Sequence, residues 1–237
     1  MIYCLLLTGT IDPKNTPEVD RASVLLREVD YYTTIEKCAS LNYKIVFCEN
    51  SGYDSKKITA LCTSKNIEYI KFTSKESYKG KGHGEKEIFE YALAHSRILK
   101  DAEYIVKITG RLFIKNIDLI LKNLPENNFL VSSNLTRNLT WSDSRFFVFK
   151  KSFYAEYFKN QLEEDLDEPQ KVNLEKCLSR AIHRAVSMGN VWITLPYYPD
   201  YVGYNAYQNK KLTQGLLKKI KYKLYYRLKK YVLQQTI

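Results

Sequence analysis

The chain has 237 residues, is 45% hydrophobic and carries a formal net charge of +11 at pH 7, which fits one large domain or one domain with an appendage. Its five cysteines (Cys4, Cys38, Cys48, Cys62 and Cys177) are widely spaced with no C-x-x-C pair, which argues against a zinc site and for buried, reduced thiols in a cytoplasmic protein. No segment approaches the roughly 20 apolar residues of a membrane span, and the short apolar start Met1–Leu7 reads as a first strand, not a signal peptide.

In chain order, Ile2–Leu7 is continuously apolar, as a central parallel strand should be, and Thr8–Pro13 ends it with turn chemistry. Arg21–Leu41 predicts a helix, with Val24, Leu25, Val29, Tyr32, Ile35 and Cys38 near a 3.6 period. Lys44–Cys48 is the second strand, ended by Glu49-Asn-Ser-Gly52. Asp54 is placed to cap a helix over Ser55–Lys65, and Ile67–Phe72 is the third strand. The basic glycine turn Lys79-Gly-Lys-Gly-His-Gly-Glu85 opens an amphipathic helix, Glu85–Leu99. Tyr104–Ile108 is the fourth strand, and Ile117–Leu124 is a short helix. Phe129–Ser133 and Phe146–Phe149 read as strands joined by a loop, Ser152–Leu162 and Val172–Met188 as helices, and Val191–Leu195 as a late strand. Pro196–Asn209, rich in Tyr, Pro and Gly, reads as an ordered loop. The pattern is α/β: a Rossmann-like N-terminal half, then a mixed second half.

The charge is concentrated at the C-terminus. Lys210, Lys211, Lys218, Lys219, Lys221, Lys223, Arg227, Lys229 and Lys230 fall in 210–230 with no acid among them, which leaves the rest near neutral. Leu216, Leu217, Ile220, Leu224, Leu228 and Tyr231 repeat at helical spacing over Gly215–Val232. A basic amphipathic helix of this kind suits an anionic membrane surface, and it also suits docking on the protein's own body or on a second copy. With no recognition motif beside the charge, nucleic acid is not expected as a partner. The organisation is therefore a domain over 1–209 with a basic tail over 210–237.

Two basic turns carry the candidate chemistry. Lys107-Ile-Thr-Gly-Arg111 follows the fourth strand, and strand ends of one open sheet share the edge where ligands bind. Lys107 and Arg111 flanking Gly110, with Thr109 between them, suit a diphosphate. Lys79, Lys81 and His83 of the glycine turn would converge on it at a helix N-terminus. Read alone, each turn is also what a solvated charged loop looks like. The glycine spacing fits neither a P-loop nor a dinucleotide fingerprint, which disfavours a nicotinamide enzyme. Thr8, Gly9 and Thr10, with Glu49, Asn50 and Ser51, end the first two strands and would form a nucleotide pocket, with Glu49 or Asp12 on a ribose hydroxyl. Asp143 and Arg145 form either a local salt bridge or site residues, and Glu175 is either an exposed helical charge or a general base. His95 and His183 read as helix-face residues.

Leu6–Ile11, Phe47–Tyr53, Lys79–Glu85 and Lys107–Ile114 together resemble bacterial glycosyltransferases of capsule, O-antigen and cell-surface polysaccharide gene clusters, over residues 1 to about 205. The resemblance implies a GT-A-like fold with a nucleotide-sugar donor, a UDP-sugar, and a saccharide or lipid-linked oligosaccharide acceptor. It also implies a peripheral place on the inner face of the cytoplasmic membrane. Most such enzymes carry Asp-x-Asp after the fourth strand, where it holds a divalent metal. The equivalent triplet here is Lys107-Ile108-Thr109, and lysine binds no metal. Direct neutralisation by Lys107 and Arg111, with Lys79 or Lys81, is the expected substitute, so no cofactor is expected; a divalent metal (Mn or Mg) is the less favoured alternative, with Asp143 as a relocated ligand. Glu175 is the first choice for the base of an inverting displacement and Asp143 the second. Arg145 would position the donor, and Tyr197, Tyr198, Tyr201 and Tyr204 would stack on the acceptor. Two alternatives stay open: an inactive membrane-associated scaffold with this fold, and a sugar nucleotidyltransferase.

Overall fold

The computed structural model describes residues 2–14, 16–126, 129–205, 209–212, 224, 226 and 228. The strands are β1 (Tyr3–Gly9), β2 (Lys44–Glu49), β3 (Glu68–Lys71), β4 (Tyr104–Thr109), β5 (Leu112–Ile114), β6 (Val131–Ser133), β7 (Leu135–Thr136), β8 (Trp141–Ser142), β9 (Phe146–Lys150), β10 (Trp192–Thr194), β11 (Tyr201–Tyr204) and β12 (Lys211–Leu212). The helices are α1 (Val24–Cys38), α2 (Lys56–Ser64), α3 (Lys81–His95), α4 (Arg97–Lys100), α5 (Ile117–Lys122), α6 (Lys151–Phe153), α7 (Lys159–Asp165) and α8 (Leu174–Ser187). A π-turn, Tyr154–Phe158, joins α6 to α7.

Seven strands form the central sheet in the order β10-β6-β9-β4-β1-β2-β3. All neighbours run parallel except β9, which is antiparallel to β4 and β6. The chain winds outward from β1 to β3 and then returns to β4 on the other side of β1. The crevice beyond the carboxyl ends of β1 and β4 is therefore the topological switch point, where open α/β sheets bind ligands.

Strand alternation separates two cores. Leu5, Leu7, Val106 and Ile108 pack with Tyr31, Ile35 and Cys38 of α1 on one face. Cys4, Leu6 and Ile105 pack with Ile88, Phe89 and Ala92 of α3 and Leu178, Ala181 and Ile182 of α8 on the other. All five cysteines are buried free thiols.

Several boundaries differ from the sequence reading. Ser55, not Asp54, caps α2 by accepting from the Ile58 amide, and Asp54 instead pairs with Lys71 at 2.8 Å. The connection expected as loop before β9 contains the β7–β8 hairpin. Pro196–Asn209 contributes β11, which pairs antiparallel with β5 and builds a second small sheet. In α1 the inward face is the polar one: Arg27, Glu28, Asp30 and Tyr31 are buried, while Leu25, Leu26 and Val29 are exposed. Of the apolar periodic set, Leu25 and Val29 face outward in the first half of α1, where Arg27 and Tyr31 line a cleft, while Ile35 and Cys38 in the second half pack inward as expected.

Most of the predicted tail helix lies outside the described residues. Leu224 and Leu228 are 58% and 65% exposed, and Tyr226 is 1% exposed against the ring of Tyr198. Among the described residues no helix is long and apolar enough to cross a membrane.

Gly203 joins β11 to the site. Its φ is +142°, and a Cβ there would collide with the Arg111 carbonyl oxygen. Gly203→Ala is expected to lower unfolding free energy by about 2 kcal/mol in urea titrations; an unchanged midpoint would show that β5 and β11 separate freely.

Candidate active site

A cleft of about 1440 Å³ opens at the switch point. Thr8 and Gly9 at the end of β1 with Thr10 beyond it, Asn50 after β2, Thr109 at the end of β4 with Arg111 beyond it, and Lys81 and Glu85 of α3 line it. Asp143, Ser144, Arg145 and Glu175 line its opposite side, with Trp141, Tyr198, Tyr204 and Tyr226. Most of the predicted site residues therefore meet in one place.

The cationic wall lies on the α1 side. Arg111 is only 9% exposed; its Nη1 donates to the Tyr204 carbonyl at 2.8 Å, and its buried Nε has no partner among the described residues. Arg27 is 4% exposed and donates to the carbonyls of Thr10 and Arg21 and to the Tyr31 hydroxyl. Burial depresses the Arg27 guanidinium below its usual range, and the nearby Arg111 charge depresses it further. Asp30 is paired with Arg21 through contacts of 2.5 and 2.9 Å and makes no ion pair with Arg27, although its charge offsets part of the depression. Among the described residues neither guanidinium is ion-paired with a carboxylate, which makes the pair chemically suited to an anion, since unpaired buried charge is otherwise costly. Arg27 escaped the sequence reading; its one signal was a charge set inside the apolar run of α1.

Lys107 does not join this wall. It is 0% exposed and points to the α3 side of the sheet, because it shares a strand face with Ile105. Its Nζ contacts Glu85 Oε1 at 2.5 Å, the Ser144 carbonyl at 2.5 Å and Thr109 Oγ1 at 3.1 Å. Those three partners use all three ammonium protons. The expected direct contact of Lys107 with a diphosphate is thus corrected: this lysine fixes the cleft floor.

The glycine turn is also only partly as expected. Lys81 reaches the cleft, and burial lowers its ammonium against the opposing pull of Glu18, Glu168, Asp20 and Glu175. Lys79 and His83 do not line the cleft. Both turn to Glu76, at 2.8 and 3.9 Å. The N-terminus of α3 already has a carboxylate of the protein beside it, since Glu168 lies against Gly80 and Gly82. Gly80 and Gly82 admit that carboxylate, and a Cβ on Gly80 would overlap it. Burial raises the Glu168 pKa.

Glu49 and Ser51 are corrected as well. Glu49 is buried and accepts from the Ile11 amide at 2.9 Å, the Ser51 amide at 2.8 Å and the Ser51 hydroxyl, and burial raises its pKa. Ser51 in turn accepts from the Asp12 amide at 3.1 Å. Glu49 Oε2 is buried with no partner among the described residues, and neither side chain lines the cleft; together they shape the loop after β1. Asn50 does face the cleft, accepting from Thr10 Oγ1 at 2.6 Å and donating to the Gly84 carbonyl at 2.9 Å. Gly110 holds the turn by donating to the Thr8 carbonyl at 2.8 Å.

The second half supplies two different carboxylates. Asp143 accepts from Arg145 Nε at 2.8 Å and Nη2 at 2.6 Å, and from the Tyr201 hydroxyl at 3.2 Å. Burial alone would raise its pKa, but the bidentate Arg145 contact outweighs this and holds it below the usual range. Arg145 also lies over the Tyr201 ring at 4.4 Å. Asp143 is therefore a poor proton acceptor, which removes it as the second-choice base. Glu175, in the first turn of α8 behind the Asn173 cap, accepts Ser144 Oγ at 2.8 Å. Burial raises its pKa, aided by the charges of Glu85 and Asp143. Tyr198 and Tyr204 face the cleft, Tyr201 is buried on Asp143, and Tyr197 packs on the core. His95 stacks on Tyr91, and His183 contacts the Leu139 carbonyl at 2.8 Å, both away from the cleft. Among the described residues no group of three or more His, Cys, Asp or Glu is placed to hold a metal.

No family model and no curated sequence matches the chain. Among solved structures it is similar to a cytidylyltransferase from Leptospira borgpetersenii, with 10% identity, coverage of 100% of this chain and 98% of that one, and a TM-score of 0.50. The glycosyltransferase GlyE of Streptococcus pneumoniae TIGR4 aligns with 7% identity over 82% of this chain and 46% of that one, TM-score 0.49. The galactosyltransferase LgtC aligns with 8% identity over 82% and 73%, TM-score 0.48. The fold is the GT-A-like α/β fold that nucleotidyltransferases and glycosyltransferases share.

Lys107→Met is expected to lower stability by about 3 kcal/mol, because it leaves the Glu85 carboxylate without its ion-pair partner. Combined with Glu85→Gln it should cost less than the two single changes together, with a coupling above about 1 kcal/mol in urea titrations. Additive losses would show that the two side chains do not act as a pair.

Proposed function

We propose that the protein is a glycosyltransferase that moves a sugar from a nucleotide-sugar donor, a UDP-sugar, to a saccharide acceptor. The observation that carries this reading is the pair of buried guanidiniums, Arg27 and Arg111, at the switch point of the sheet, neither ion-paired with a carboxylate among the described residues. The leaving diphosphate would lie against them, and fixed cations at a developing negative charge lower the barrier to its departure. No resident metal is required in this reading, because the guanidiniums supply the positive charge.

Glu175 is the proposed base. The acceptor hydroxyl oxygen bonds to the anomeric carbon as the bond from that carbon to the diphosphate oxygen breaks. The electron pair leaves on the diphosphate, and the hydroxyl proton passes to Glu175. Single displacement inverts the configuration. Tyr198, Tyr204 and Trp141 offer rings to the acceptor. The basic segment 210–232, with Leu224 and Leu228 outward, supports attachment to an anionic cytoplasmic membrane face and a lipid-linked acceptor of surface polysaccharide synthesis.

Calorimetric titration with UDP is expected to give micromolar affinity that EDTA leaves unchanged. Arg111→Ala and Arg27→Ala should each weaken it tenfold or more, and His95→Ala should not. No UDP binding would favour a scaffold, and loss of binding in EDTA would place a metal under the diphosphate.

The raised Glu175 pKa fixes a pH dependence. Glu175 accepts a proton only as a carboxylate, so activity should fall as pH drops through its folded-state pKa. That acid limb of kcat/KM should lie above the ordinary glutamate value of about 4.3. Glu175→Gln should abolish the limb and reduce the rate by about 10² to 10⁴. A limb that survives in the variant would assign the base elsewhere.

A further inference from the structure

Glu85 belongs to α3 and lines the cleft, yet nothing in the transfer step described above uses it. Its Oε1 receives both Lys107 Nζ at 2.5 Å and Thr8 Oγ1 at 2.8 Å. Its other oxygen has no partner among the described residues. Lys107 cannot swing away, since the Ser144 carbonyl and Thr109 hydroxyl take its remaining protons. Ser144 in turn donates its hydroxyl to Glu175. A continuous chain, Thr8–Glu85–Lys107–Ser144–Glu175, thus fixes two carboxylates on the same side of the cleft, opposite Arg27 and Arg111.

A carboxylate clamped through one oxygen offers the other as an acceptor only. Sugar hydroxyls are donors that fit it. A carboxylate-bearing sugar does not, because its carboxylate brings no proton for the free Glu85 oxygen to accept, and Lys107 is already committed to Glu85. We infer that Glu85 is the specificity-determining residue for the donor sugar, accepting its ring hydroxyls and selecting a neutral hexose over a uronic acid, with Lys107 as its positioning residue. This inference rests on the nucleotide-sugar reading above.

The test compares UDP, UDP-glucose, UDP-galactose and UDP-glucuronate by calorimetry on the full chain. Wild-type protein should bind at least one UDP-hexose about tenfold or more tighter than it binds UDP-glucuronate. Glu85→Gln should weaken the preferred UDP-hexose by about tenfold to a hundredfold, as loss of a charged acceptor predicts, while leaving UDP affinity within twofold. The same change should narrow the gap to UDP-glucuronate. Unchanged UDP affinity also reports that the variant is folded. Glu85→Asp retains the charge beside Lys107 but shortens the reach, and should show the same hexose-selective loss. If wild-type protein binds UDP but Glu85→Gln weakens UDP and UDP-hexose equally, or leaves both unchanged, the assignment of Glu85 is overturned and the donor reading stands. If wild-type protein binds neither UDP nor any UDP-sugar, the donor reading fails and this assignment fails with it.

Discussion

A lysine ammonium buried under the floor of the cleft is the constraint that organises the rest. Lys107 sits on the central strand β4 with no exposure, and its three protons reach α3 through Glu85, the turn before β9 through Ser144, and its own strand end through Thr109. A cation in such a place is tolerated only if fully partnered. The elements that supply its partners are therefore held in register, and they are the elements that carry Glu85 and Glu175. Substituting any one partner changes the solvation of the lysine as well as one contact.

Charge is segregated across the cleft as a consequence. The α1 side carries Arg27 and Arg111 with neutral partners, and the α3 and α8 side carries Glu85 and Glu175. Arg145, which would blur that division, is tied to Asp143, and Arg21 is tied to Asp30. Lys81 also lines the cleft from α3, but with Glu18, Glu168, Asp20 and Glu175 around it, so an anion is better matched by the two guanidiniums and a hydroxyl-rich group by the opposite wall. A nucleotide-sugar, with its diphosphate joined to a neutral ring, presents those two chemistries side by side.

Much of this architecture was legible in the sequence, because continuous apolar strands, glycine turns and amphipathic helices are local signals. The strand-end loops, the polar stretch Lys107–Arg111 and the placement of Glu175 at a helix start all follow from that. What stayed hidden depended on partners far apart in the chain. Alternation alone puts Lys107 on the face of Ile105, but only the packing of α3 shows that Glu85 waits there. Glu49 reads as an exposed loop acid until the fold curls the Ile11 amide back onto it. The anion expected at the glycine turn is displaced by Glu168, which lies more than 80 residues away in sequence. In α1, Leu25 and Val29 point outward because the first turns line a cleft with Arg27 and Tyr31, and local patterning does not register a cleft wall.

The central claim is that a diphosphate rests on Arg27 and Arg111 while the attached sugar turns toward Glu85. A crystal structure of the protein with UDP-hexose, grown with manganese present, tests it most directly. The account predicts phosphate oxygens within hydrogen-bond distance of both guanidiniums, no metal bridging them, and a ring hydroxyl on Glu85. A diphosphate seated on the N-terminus of α3 with Glu168 expelled, or coordinated to manganese beside Asp143, would contradict it.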